Sequence, residues 1–129
     1  MPITLISASL IGLLLIYLSW GVVKERQRTK TSIGDGGDDR LHHAIRAHSN
    51  LVEYAPIALI LFGLLESNGA NHWLMLGLAS FFVVGRYMHG LTFGKFEGLN
   101  PYRFYGTLFT WLTILFAAIT GVLMSLHIL

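Results

Sequence analysis

The sequence predicts an all-α integral membrane protein, a single four-helix domain over residues 1–129, and three observations carry that prediction. Hydrophobic residues make up 53% of the chain and charged residues only 12%, with a mean hydropathy of +0.60. That is too apolar for a soluble domain of this length. Four apolar runs fill most of the sequence, each near the ~20 residues a helix needs to cross the hydrocarbon core. All nine Lys and Arg residues lie in or beside the first and third connections between those runs, the asymmetry expected of loops on the inner side of a membrane.

The first run covers residues 3–23. Its basic flank, KERQRTK, follows the apolar segment instead of preceding it, the reverse of a cleaved signal peptide. It is therefore read as an uncleaved helix with the amino terminus outside. Residues 24–40 turn abruptly charged and Gly-rich and end in GDGGDD, a turn followed by acidic residues suited to start a helix. Asp35, Asp38 and Asp39 lack the alternation and terminal Glu of a calcium loop, so capping is their expected role.

The second helix is expected over residues 41–65. Pro56 in its interior removes a backbone hydrogen bond and predicts a kink one turn beyond Glu53. After the connector ESNGANH, a third helix over 73–90 carries Arg86 and His89 to the inner side. The loop LTFGKFEGLN leads to a fourth helix over 101–126, with Asn100 as N-cap and Pro101 in the first turn. Along it Gly106, Thr110, Thr113, Ala117, Thr120 and Gly121 form a stripe of small residues for close packing.

The second helix holds the candidate site. At 100° per residue, Arg46, Asn50 and Glu53 fall within about 60° of one another and span roughly 10 Å of axis. Charges in the hydrocarbon region cost about 2.5–3.5 kcal/mol each, so they face a cavity, a partner helix or a ligand. One reading is an ion-pair lock between helices. The other is a binding site, favoured by Asn50, whose amide both donates and accepts and so suits a zwitterion. Arg86, His89, Tyr102 and Arg103 gather at the same inner level, and arginine forks hold carboxylates well. A small peptide carrying ammonium and carboxylate groups fits that set.

The run Arg46-Ala-His-Ser-Asn50-Leu-Val-Glu53-Tyr54-Ala-Pro56 resembles the MAPEG proteins, membrane-associated proteins of eicosanoid and glutathione metabolism. The likeness extends to the GDGG loop and to GRYMHG at the end of the third helix, and is greatest to the small bacterial branch. It implies a homotrimer in which glutathione sits between neighbouring subunits while a lipophilic substrate arrives from the bilayer. It assigns glutathione binding to Arg46, Asn50 and Glu53; Tyr54, at the family's aromatic position, either joins them or packs between subunits, Arg86 and His89 are expected beside them in the pocket, and Arg103 or Arg86 is expected to stabilise the thiolate. Two departures stand out. His89 occupies a position where the family's synthases carry Tyr, and their loop arginine falls near Gly98, leaving Arg103 as the nearest substitute.

The expected function is thus a glutathione transferase or peroxidase acting on a lipophilic electrophile, with a non-catalytic scaffold that holds a lipophile or partner protein as the alternative. A proton-coupled transporter using Glu53 ranks lower, because the first helix carries no charge. The chain has no cysteine, so a reactive thiol must come from the ligand. His42, His43 and His48 lack the i, i+4 spacing of a helical metal pair, and no metal is expected. Basic residues confined to connections beside membrane spans mark topology and lipid contact, not nucleic-acid binding. His89 reads as an interfacial histidine or as a proton donor at the pocket. A bacterial inner membrane location with both termini outside completes the expectation.

Overall fold

The computed structural model describes residues 1–92 and 99–129. Four helices account for nearly all of them: α1 Pro2–Thr29, α2 Asp39–Ser67, α3 His72–Thr92 and α4 Pro101–Ser125. Each is long and apolar enough to cross a membrane. The expected place of the loop arginine at Gly98, and Lys95 from the basic count, lie outside the described residues.

The helices run longer than the apolar segments suggest. With 28 residues, α1 is about 42 Å long against a hydrocarbon core of about 30 Å, so the helix continues past Val23 through most of the basic run. Arg28 pairs with Glu25 one turn earlier at 2.6 Å and with Asp38 at 2.6 Å, and Arg40 reaches the same Glu25 at 3.1 Å. The end of α1, the loop and the start of α2 are thereby cross-linked. Lys30 closes α1 in the left-handed conformation, with φ 54°.

Asp38 caps α2 as expected, its carboxylate accepting from the Leu41 amide at 2.9 Å. Asp35 accepts from the Gly37 amide at 2.9 Å and lies 3.0 Å from His42 Nδ1. Gly36 and Gly37 take positive φ in this turn, which only glycine does without strain. These contacts hold both carboxyls below the ordinary carboxylate range. For Asp38 the leading cause is the Leu41 amide, then Arg28; for Asp35 it is the Gly37 amide, then His42.

At the other end of α2, the expected connector begins too early. Glu66 and Ser67 are helical, and Glu66 reaches across to the start of α1. Its carboxylate accepts from the amides of Ile3 at 2.9 Å and Thr4 at 2.7 Å and from the Thr4 hydroxyl at 2.5 Å. Met1 supplies no side-chain cap, so a residue 63 positions away satisfies the amides that a helix start leaves open. Pro56 sits inside α2 without breaking it.

α2 and α3 pack against each other, α1 and α4 each pack against both, and α1 and α4 do not touch among the described residues. The cross-section is a rhombus with α2 and α3 on its short diagonal, so their outward faces point to opposite sides. Phe62 and Phe82, both fully buried, meet edge to face at 5.6 Å in the middle of that diagonal. The closest crossing is between α3 and α4. A Cβ on Gly106 would stand 2.5 Å from the Gly85 carbonyl oxygen and 2.9 Å from His89 Cβ. Between helices in lipid, where no hydrophobic force distinguishes side chain from solvent, such close approach of small residues is what holds them. Gly106, Thr110, Thr113, Ala117 and Thr120 are buried, as the small-residue stripe requires. Asn100 caps α4 as expected, its side chain accepting from the amides of Tyr102 and Arg103 and donating to the Thr92 carbonyl at 2.8 Å.

Candidate functional site

Arg86 is the centre of the site. It is 1% exposed, held on α3 between α2 and α4 because the Gly85–Gly106 crossing brings α4 against this part of α3. Its Nη2 donates to Asn50 Oδ1 at 2.6 Å and its Nη1 to the Thr110 hydroxyl at 3.2 Å. Thr110 in turn donates to the Gly106 carbonyl at 2.9 Å. Both partners are neutral, and among the described residues no carboxylate lies at ion-pair distance from the guanidinium. Its Nε is buried and has no hydrogen-bond partner among the described residues. A buried donor left open is costly, and an acceptor from outside the chain would relieve it.

Around Arg86 the other arginines close in. His89, one turn further along α3, is 1% exposed and packs beneath Gly106. The side chain is therefore enclosed within the bundle, where the glycine on α4 lets the two backbones approach. The guanidiniums of Arg86, Arg103 and Arg46 all lie within electrostatic reach of His89, and Tyr54 within that of Arg86. Arg103 stands in the first turn of α4, where the helix already presents partial positive charge. Three cations and a helix start favour an anion.

Arg46 and Glu53, the ends of the α2 stripe, lie on its outer face with side chains 44% and 51% exposed, and they pair with each other at 3.6 Å. Neither meets a charge on another helix at ion-pair distance among the described residues. Continuing along that face, Ile57, Ile60 and Leu64 are exposed as well. On the opposite side, a groove of about 530 Å³ runs along the outward face of α3, lined by Val83, Val84, Tyr87 and Met88 with Leu10 and Tyr102 at its sides. Tyr87 fixes one wall by donating to the Leu10 carbonyl at 2.6 Å.

The model of the MAPEG family matches residues 4–123. The chain belongs to the MAPEG family. It is also similar to the inner membrane protein YecN of Escherichia coli strain K12, 39% identical over 108 residues that cover 84% of this chain and 81% of the relative. YecN of Escherichia coli O6:H1 matches with the same identity and coverage.

Within this MAPEG chain the structure brings Asn50 and Arg86 into direct contact, sets Tyr54, His89 and Arg103 around them, and pairs Arg46 with Glu53 on the adjoining surface. Tyr102 lies apart, on the wall of the apolar groove. Thr110 was read only as part of a packing stripe, yet it also accepts from Arg86. Its place within GTLFT, level with Arg86 when α3 and α4 run antiparallel, is the one sign of that role in the sequence.

Proposed function

We propose that this protein binds glutathione at the Arg46, Asn50, Glu53, Tyr54, Arg86 and His89 cluster and acts as a glutathione transferase or peroxidase on a lipophilic electrophile. The observation that carries the reading is the buried Arg86 guanidinium, held among the described residues by two neutral partners with its Nε left open. The donor set fits the tripeptide: Arg46 and Arg86 for carboxylates, Glu53 for the ammonium, Asn50 for either. Glutathione supplies the thiol that a chain without cysteine lacks. The chain's own contribution is positive charge near the sulfur, from Arg103 or Arg86, which lowers a thiol pKa below its ordinary value of about 8.5. The apolar groove beside Tyr102 is the entry for a substrate dissolved in the bilayer.

The stripe on α2 and the groove on α3 occupy opposite faces of one chain, so uniting them takes a second copy. A homotrimer does this, and it also covers the charged stripe, which would cost about 2.5–3.5 kcal/mol per charge against hydrocarbon. Confinement of the described Lys and Arg residues to one end of the bundle supports both termini outside. The likeness to YecN, named an inner membrane protein, supports that membrane as its location.

Titration of purified protein in detergent with glutathione tests the proposal, with thiolate absorbance as second readout. Saturable binding with a thiolate signal is expected. Binding without the signal would favour the non-catalytic scaffold, which the shift from the family's loop arginine to Arg103 supports; no binding would overturn both the site and the activity.

A further inference from the structure

A second cleft opens at the inner end of the bundle, away from the arginine cluster. It has a volume of about 160 Å³ and lies between α1, α2 and α3, with Tyr17, Trp20, Lys24, His43, Ala47 and Gly90 in its lining. At about 30 Å³ per water in the liquid, it holds a group the size of roughly five waters. Its depth in the membrane follows from α1. Glu66 fixes the outer end of this helix at Ile3, and 21 residues on, at about 1.5 Å each, Lys24 stands one hydrocarbon thickness away. Tyr17 and Trp20 lie one to two turns inside that level and are 59% and 57% exposed, the position of an interfacial aromatic belt.

The charges nearby are unequal. Arg28 and Arg40 are committed to Glu25 and Asp38, and Arg26 donates to the carbonyls of Thr31 and Gly34. Lys24 has neither ion pair nor hydrogen bond among the described residues, and it is the lysine that lines the cleft. Gly21 and Gly90 keep its walls low: a Cβ on Gly90 would press on Leu14 and Leu18 at 3.2–3.3 Å. The result is an amphipathic slot with a cation at headgroup level, aromatic rings below it and an apolar floor. We infer that this cleft is a specific site for the phosphodiester headgroup of an anionic phospholipid, with Lys24 facing the phosphate and Tyr17 and Trp20 flanking the glycerol region. Phosphate chemistry alone does not choose the lipid; the apolar floor and the bilayer depth do.

Native mass spectrometry of the purified protein with dioleoyl-phosphatidylglycerol or dioleoyl-phosphatidylcholine tests the site, with glycerol 3-phosphate as the soluble probe. Wild type should prefer the anionic lipid and ignore the soluble phosphate. Lys24→Gln should lower that preference about fivefold, the effect of one interfacial cation, while Lys24→Arg keeps it. Lys30→Gln removes an equal charge from the same loop outside the cleft and should leave the preference unchanged. Equal losses in Lys24→Gln and Lys30→Gln would reduce the site to diffuse attraction by the basic loop and overturn it, as would the absence of any preference in wild type. Binding of glycerol 3-phosphate as tight as that of the lipid would replace the lipid by a soluble phosphate ligand. Quenching of Trp20 by a brominated anionic lipid, lost on Lys24→Gln, gives a readout independent of adduct counting.

Discussion

Two glutamates on one helix show how differently the two ends of this bundle are built. Glu66, at the C-terminal end of α2, is consumed by structure: three donors of α1 lie within 2.9 Å of its carboxylate. Glu53, nearly four turns earlier, meets a single cation among the described residues, at 3.6 Å, and is half exposed. The arginines follow the same division, with none at the Glu66 end and a converging set at the other. An acidic side chain at membrane depth is thus no sign of a site by itself. What distinguishes Glu53 is that its hydrogen-bonding capacity is left over once the helix is folded.

The strongest way to break this contrast is to remove the crossing that assembles the arginine end. Gly106→Leu places atoms where the Gly85 carbonyl and His89 now stand, and overpacking of this kind costs about 1–3 kcal/mol or more. It should abolish monodisperse protein in size-exclusion chromatography, and normal elution with native thermal stability would show that the α3–α4 contact is dispensable. Next comes Glu66→Leu, which strands the first amides of α1. A loss of about 2–3 kcal/mol is expected, the scale of hydrogen bonds to a charged group, with glutathione affinity unchanged. Thermal melts and titrations on the same sample separate the two, and weakened glutathione binding at native stability would dissolve the distinction between the ends.

Glu53→Gln should do the reverse. Its partly exposed pair with Arg46 contributes about 0–1 kcal/mol to folding, so melting should hardly move while glutathione affinity falls roughly tenfold to a hundredfold, or about 1.4–2.8 kcal/mol. A melting loss equal to that of Glu66→Leu would make Glu53 structural too. Arg103→Ala sharpens the arginine end further: if its charge acts at the sulfur, as proposed, turnover and thiolate signal should drop with affinity nearly intact. If Arg103→Ala is silent and Arg86→Ala removes the signal, the role belongs to α3. The smallest effect is expected from acid on the loop. Asp35 and Asp38 have lowered pKa values in the folded chain, so their contribution is complete above the ordinary carboxylate value and is lost as pH falls from there through the lowered ones. Hydrogen exchange in residues 31–38 should be flat from pH 7 to about pH 4, after correction for intrinsic rates, and rise relative to it below; a rise already at pH 6 would show that these carboxylates do not hold the loop.

Much of this architecture is legible in the sequence because it depends on local signals. Apolar length locates the four helices, and Asp38 and Asn100 announce two of their starts within three residues of the amides they cap. The stripe of Arg46, Asn50 and Glu53 follows from helical period alone. Contacts between helices carry no such period. Glu66 looked like part of a connector because nothing near it reveals that a helix start 63 residues earlier needs an acceptor. The burial of His89 depends on a glycine in another helix. The partnership of Arg86 with Thr110 spans 24 positions and an intervening loop, while its bond to Asn50 joins two residues that were each expected at the site.

The reach of Glu66 also orders events during synthesis. The opening turn of α1 leaves the ribosome 63 residues ahead of its acceptor, a lag of roughly 3–12 s at 5–20 residues per second. Through that interval its amides depend on water or lipid headgroups. Arrival of α2 ends the interval by latching the tip of the first helix to the tip of the second. The tip of α1 is thus held by a partner that its own sequence does not supply.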